Sequence, residues 1–248
     1  MSHLPHPPAG RIILALDTPQ VTEALTWLDE IPQAVAWKVG LELFIANGPA
    51  ILTALKERGK QVFLDLKLHD IPNTVAGACR VAARYGVDWL TLHATAGRPA
   101  LSAAVEACQA SAAQAGLHPP TLLGITVLTS LTAQDLQQDL QVARTPADYA
   151  LHLGRLARDC GLGGLVCSAQ EVQQLRLTLG SDLTYVCPGI RPQRTPGDDQ
   201  QRTVTPQAAV AAGADYLVIG RPILQAPDPA QAFAQLCQSL TGSLEGEP

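Results

Sequence analysis

The stretch FLDLKLHDIPNT, Phe63 to Thr74, decides how the chain is read. Phe63, Leu64, Leu66 and Leu68 have the look of a buried strand, yet Asp65 and Lys67 lie inside it and Asp70 lies just beyond. Desolvating a charge costs several kcal/mol, so a strand that carries two, with a third just beyond it, needs a place where they converge on partners or on a ligand.

Working outward, apolar runs like this one recur at 11–17, 34–40, 61–67, 87–93, 121–127, 162–168, 183–189 and 215–220. Between them lie segments with apolar spacing of three and four, such as Val21, Leu25 and Leu28, or Ala147, Leu151, Leu153, Leu156 and Ala157. Thr18-Pro19, Thr145-Pro146 and Thr205-Pro206 read as helix starts, because proline suits the first helical position. Near-continuous apolar strands alternating with helices imply a parallel sheet covered on both faces. Eight such units in 248 residues predict a single-domain α/β TIM (β/α)8 barrel. An open, doubly wound sheet is the alternative that periodicity leaves standing. The barrel is expected over 11–241, between an N-terminal tail of residues 1–10 that contains His3 and His6 and a C-terminal tail of 242–248.

In such a barrel the reacting groups gather where strands end and βα loops begin. Asp17, Lys38, Asp65, Lys67 and His93 fall near the ends of the first four strands. Asp65 and Lys67 are two apart, so on a regular strand they share a face, while Leu64, Leu66 and Leu68 face the helices. One inward Asp–Lys pair could serve register alone; Asp17, Lys38 and Asp70 on the same rim exceed any structural need. PGIRP and IGRPI place Arg191 and Arg221 just past strands seven and eight, where barrels often bind phosphate through backbone N–H groups that Gly189 and Gly220 leave accessible. The polar segment 189–204 is long enough to be a lid.

Other groups are read more plainly. His93 serves as an acid or base or, the favoured reading, orients its neighbours. His69, Asp70 and Asp65 would suggest a metal, but the Lys67 ammonium would repel a divalent cation. Thr126, Thr129 and Ser130 contact a substrate or cap the helix that begins near Thr132; spacing does not choose. A net charge of −5 argues against nucleic acid and anionic membrane as partners. No run approaches the ~18 apolar residues of a membrane span, and the first residues do not resemble a signal peptide. Six scattered cysteines without a CxxC pair read as free thiols, and a cytoplasmic location is expected.

Taken in order, ALD, KVG, FLDLKLHDIPNTV, TVLTS, CSAQE, PGIRP and GADYLVIGRPI resemble the orotidine 5′-phosphate decarboxylases over residues 10–238. The resemblance implies cofactor-free, metal-free loss of CO₂ from orotidine 5′-phosphate to give UMP, in de novo pyrimidine synthesis. It implies Lys67 as proton donor in an alternating charged network with Lys38, Asp65 and Asp70. Asp17 and Lys38 would hold the ribose, Thr129 the pyrimidine, and Arg191, Gln200, Gly220 and Arg221 the phosphate end. Gln200 is favoured over Gln193 and Gln201, in a lid that departs in detail from the family pattern. Ile71 and Thr74 would line the site, with Asp70 and Thr74 reaching into a partner's pocket in a homodimer. A magnesium-dependent phosphosugar enzyme of the hexulose-phosphate synthase type is the nearest rival. It needs an acidic ligand shortly before the D-x-K core, where this chain has Phe63.

Overall fold

Each of the eight apolar runs forms a strand in the computed structural model, which describes residues 7–191 and 202–241. The strands are β1 (Ile12–Leu16), β2 (Ala36–Gly40), β3 (Gln61–Leu68), β4 (Trp89–His93), β5 (Thr121–Ile125), β6 (Gly164–Val166), β7 (Thr184–Cys187) and β8 (Tyr216–Ile219). Each pairs in parallel with the next, and β8 pairs with β1. Closure excludes the open doubly wound sheet. Most strands are a residue or two shorter than their apolar runs, because ladder pairing with a neighbour ends before hydrophobicity does.

Alternation along the strands sorts the core into two layers. Ile12, Leu14 and Leu16 of β1 face outward into the large cluster shared with the helices, while Ile13 and Ala15 face inward. The inner cluster adds Phe63, Trp89, Leu123, Val186, Tyr216 and Val218. Trp89 packs edge-on against both Phe63 and Tyr216, with ring centroids 6.5 and 5.1 Å apart. Burying each such side chain contributes about 1.5–3 kcal/mol, and this apolar plug closes the lower barrel and leaves the C-terminal rim as the open end.

Local signals set the helix starts. Thr145 and Thr205 accept backbone N–H bonds ahead of Pro146 and Pro206, and Thr132 forms a capping box with Asp135. Thr18-Pro19 is the exception: the helix Val21–Glu30 starts after Gln20, and the Thr18 hydroxyl instead bonds Glu23 and the Gln20 N–H. Pro8–Arg11, mostly within the expected tail, forms a 3₁₀ turn, and Ala9 packs on the outer core. All six cysteines are free thiols. No helix among the described residues is long and apolar enough to cross a membrane. The expected tail residues 1–6 and 242–248, and the candidate lid residues Gln193, Gln200 and Gln201, lie outside the described residues.

Candidate active site

β3 does not remain a regular strand to its end. Leu64 pairs with Leu90 and Leu68 with Leu92, so four steps of β3 run against two of β4, and Lys67 adopts φ 50°. A left-handed lysine costs on the order of 1–2 kcal/mol, and such strain persists only where the surroundings enforce it. The enforcing contact is Thr91 on β4, whose hydroxyl accepts the Lys67 N–H at 2.8 Å and donates to Asp65 Oδ1 at 3.0 Å. The bulge keeps Leu66 and Leu68 packed on the outer core and aims Lys67 into the same pocket as Asp65. Same-face placement is therefore reached through a bulge, not through the simple alternation expected from spacing.

The pocket at this rim is lined by Asp17, Lys38, Asp65, Lys67, Thr129, Arg191, Gly220 and Arg221, among others. Its charges alternate. Asp17 Oδ1 lies 2.9 Å from Lys38 Nζ, Lys38 Nζ lies 3.8 Å from Asp65 Oδ2, and Asp65 Oδ2 accepts from Lys67 Nζ at 2.7 Å. Burial pushes the Asp65 carboxyl upward, but the ammoniums of Lys38 and Lys67 and the hydrogen bonds from Lys67 and Thr91 outweigh it, leaving the group below its ordinary value. Asp65 is thus a buried, ionised carboxylate between two cations, and the Lys67 ammonium, 31% exposed, faces the opening.

Two glycines make this packing possible. A Cβ on Gly40 would sit 2.9 Å from Lys38 Nζ, and one on Gly220 would meet Ala15 Cβ and O at 3.2 Å and Asp17 Oδ2 at 3.3 Å. Gly40 was not singled out by spacing; its signal was only its place two residues after Lys38. On the other wall, Thr129 is buried after β5. Gly189, at φ 73°, turns the chain toward Arg191, whose backbone N–H donates to Val204 O at 3.0 Å.

Asp70, Ile71 and Thr74 are exposed and lie outside the pocket lining of their own chain. The Asp70 carboxylate accepts the Ile71 N–H at 2.6 Å. His93 stands with its ring 5.3 Å from that of His69; burial, helped by His69 and Lys67, holds it below the usual imidazole value. Thr126 donates to Val166 O, a structural bond, whereas Thr129 and Ser130 line the pocket. Thr91 was missed because an inward threonine on a strand carries no signal until its neighbours are known.

The family model for "Orotidine 5'-phosphate decarboxylase / HUMPS family" matches residues 10–236. The chain is 53% identical over 231 residues to the orotidine 5'-phosphate decarboxylase of Nostoc sp., covering 93% of this chain and 97% of that protein. The enzyme of the same name from Lactiplantibacillus plantarum is 49% identical over 227 residues, covering 91% and 96%. Among solved structures, orotidine 5'-phosphate decarboxylase from Lactobacillus acidophilus superposes with a TM-score of 0.82 at 34% identity, over 92% of this chain and 98% of that one. With a family model matched over residues 10–236, a matching barrel and relatives aligned nearly end to end, the chain belongs to the orotidine 5′-phosphate decarboxylase / HUMPS family.

Proposed function

We propose that this chain decarboxylates orotidine 5′-phosphate to UMP and CO₂ without a cofactor, with Lys67 as the proton donor. The observation that carries the reading is the Lys67 ammonium, held 2.7 Å from ionised Asp65 at the mouth of a pocket that also holds two arginines. Cleavage of the C6–carboxylate bond leaves an electron pair in the ring plane, outside the pyrimidine π system. A fixed ammonium beside C6 stabilises that pair as it forms and then delivers a proton to it. CO₂ departs, and the Lys67 amine regains its proton from solvent. Asp65, buried and charged where the substrate carboxylate would lie, adds like-charge crowding that loss of CO₂ relieves.

In this reading Asp17 and Lys38 hold the ribose, Thr129 the pyrimidine, and Arg191 and Arg221 the phosphate, with close approach at Gly220; Gln200 would join the phosphate end. Binding energy from the phosphate is remote from C6 and serves to assemble the charged network around it. The hexulose-phosphate synthase type of reaction is disfavoured by Phe63, which sits in the apolar plug where that chemistry wants a carboxylate. Purified protein should consume orotidylate absorbance at an undiminished rate in excess EDTA. Activity lost to EDTA and restored by magnesium would overturn the metal-free reading.

A homodimer completes the proposal. Leu41, Ile45 and Ile71 are exposed apolar side chains in segments that follow the adjacent strands β2 and β3, on the same rim as exposed Asp70 and Thr74. A second copy seated there would cover them and bring Asp70 and Thr74 to its neighbour's pocket. Sedimentation should give twice the 26.1 kDa of one chain; a fully active monomer would refute the shared site.

A further inference from the structure

A buried ion pair with no assigned role lies behind the pocket wall formed by residues 127–130. Arg202, its side chain 12% exposed, bonds Glu171, which is 5% exposed at the head of the helix Val172–Leu179. Both ions lose hydration, and Glu171 Oε2 and Arg202 Nε have no hydrogen-bond partner among the described residues. Burial pushes the Glu171 carboxyl upward despite the opposing pull of Arg202. Such a pair is a poor device for stability alone, since apolar side chains of similar volume would serve as well.

Its reach suggests another role. The Arg202 guanidinium donates through one nitrogen to the carbonyls of both Val127 and Leu128, each at 3.2 Å, immediately before Thr129. Two residues further along, Val204 bridges to the strand-seven loop: its N–H donates to Gly189 O at 3.2 Å and its carbonyl accepts the Arg191 N–H at 3.0 Å. The short segment 202–204 therefore grips the wall carrying Thr129 with a side chain and the turn carrying Arg191 with its backbone. Arg202 itself does not line the pocket.

We propose that Arg202, held by Glu171, is a positioning residue that couples the pyrimidine subsite at Thr129 to the phosphate subsite at Arg191. The inference rests on the decarboxylase reading above. A ligand that fills both subsites benefits from the tie, because each wall it orders helps to order the other; a ligand that fills one subsite gains little. A lysine at 202 keeps the charge but lacks the planar fork that reaches two carbonyls and a carboxylate together.

The test is calorimetric titration of UMP, ribose 5-phosphate and uridine into the wild-type protein and into Arg202→Ala, Arg202→Lys and Glu171→Gln. With a coupling of ordinary size, Arg202→Ala weakens UMP about 10-fold and each single-subsite ligand less than about 2-fold, with Arg202→Lys close behind and Glu171→Gln intermediate. Equal losses for all three ligands, or unchanged UMP affinity, would overturn the coupling. If Arg202→Ala does not fold, Arg202→Lys and Glu171→Gln carry the same comparison. A wild-type protein that fails to bind UMP would overturn the decarboxylase reading itself, whereas tight wild-type UMP binding with uniform losses in the variants removes only the role of Arg202.

Discussion

Asp88 and Asp215 stand at the N-terminal ends of β4 and β8, Asp17 and Asp65 at the C-terminal ends of β1 and β3, and the two sets are bonded differently. The lower pair occupies matching segments, GVDWL and GADYL. Each accepts a backbone N–H from the preceding strand, Val62 for Asp88 and Tyr185 for Asp215, both at 2.7 Å, and each takes one basic side chain, Lys56 or Arg176. The aromatic residue that follows, Trp89 or Tyr216, joins the apolar plug. At the upper rim Asp17 and Asp65 take ammoniums and a hydroxyl instead. The lower carboxylates serve the backbone, and removing them should cost stability; the upper ones hold ammonium groups at the pocket, and disturbing them should cost chemistry.

The sharpest way to break that division is at Lys67. Lys67→Ala should lower kcat/KM by about 10⁴-fold, measured by loss of orotidylate absorbance, while UMP still binds and the urea midpoint stays in place because Lys38 remains beside Asp65. Near-normal turnover would sink the proton-donor role. The opposite probe is Asp215→Ala, which strands the Tyr185 N–H and takes from Arg176 its carboxylate partner, leaving it the Gly213 carbonyl. It should destabilise the fold by about 2 kcal/mol in urea denaturation with kcat/KM unchanged, and a comparable loss of activity would erase the contrast between the two ends. Gly40→Ala is the finest test. Gly40 has ordinary backbone angles, φ −90° and ψ −178°, so alanine adds no strain of its own. Its Cβ would press on Lys38 Nζ, and kcat/KM should fall about 10-fold, equivalent to about 1.4 kcal/mol, at unchanged stability. Full activity would mean that the flexible end of Lys38 moves aside without consequence.

Much of this was legible before any coordinates. Strand and helix periods, the count of eight units and the clustering of Asp17, Lys38, Asp65 and Lys67 near strand ends are properties of spacing, and spacing survives folding. Gly220, Arg191 and Arg221 were readable for the same reason, since Gly220 and Arg221 directly follow β8 and Arg191 lies in the loop that leaves β7. Illegible were features that depend on what lies across the barrel. The left-handed turn at Lys67 exists because β4 pairs around it and Thr91 catches its N–H. Thr18 looked like a cap because threonine before proline usually is one, and only the Glu23 carboxylate shows why it serves elsewhere.

By itself, then, the sequence determined the eight strand-and-helix units and the rim on which charge gathers, because hydrophobic period and residue type act locally and repeat; closure of the sheet and the bulge that turns Lys67 inward were left to tertiary structure. Tertiary structure alone decided that Lys38 and Thr91 reach the Asp65 carboxylate, and that Arg202 spans to carbonyls 74 and 75 residues away. Those are distances between segments remote in the chain, set by closure of the sheet, and no local pattern encodes them. FLDLKLHDIPNT keeps its charges because the fold brings Lys38 and Thr91 from neighbouring strands to hold them.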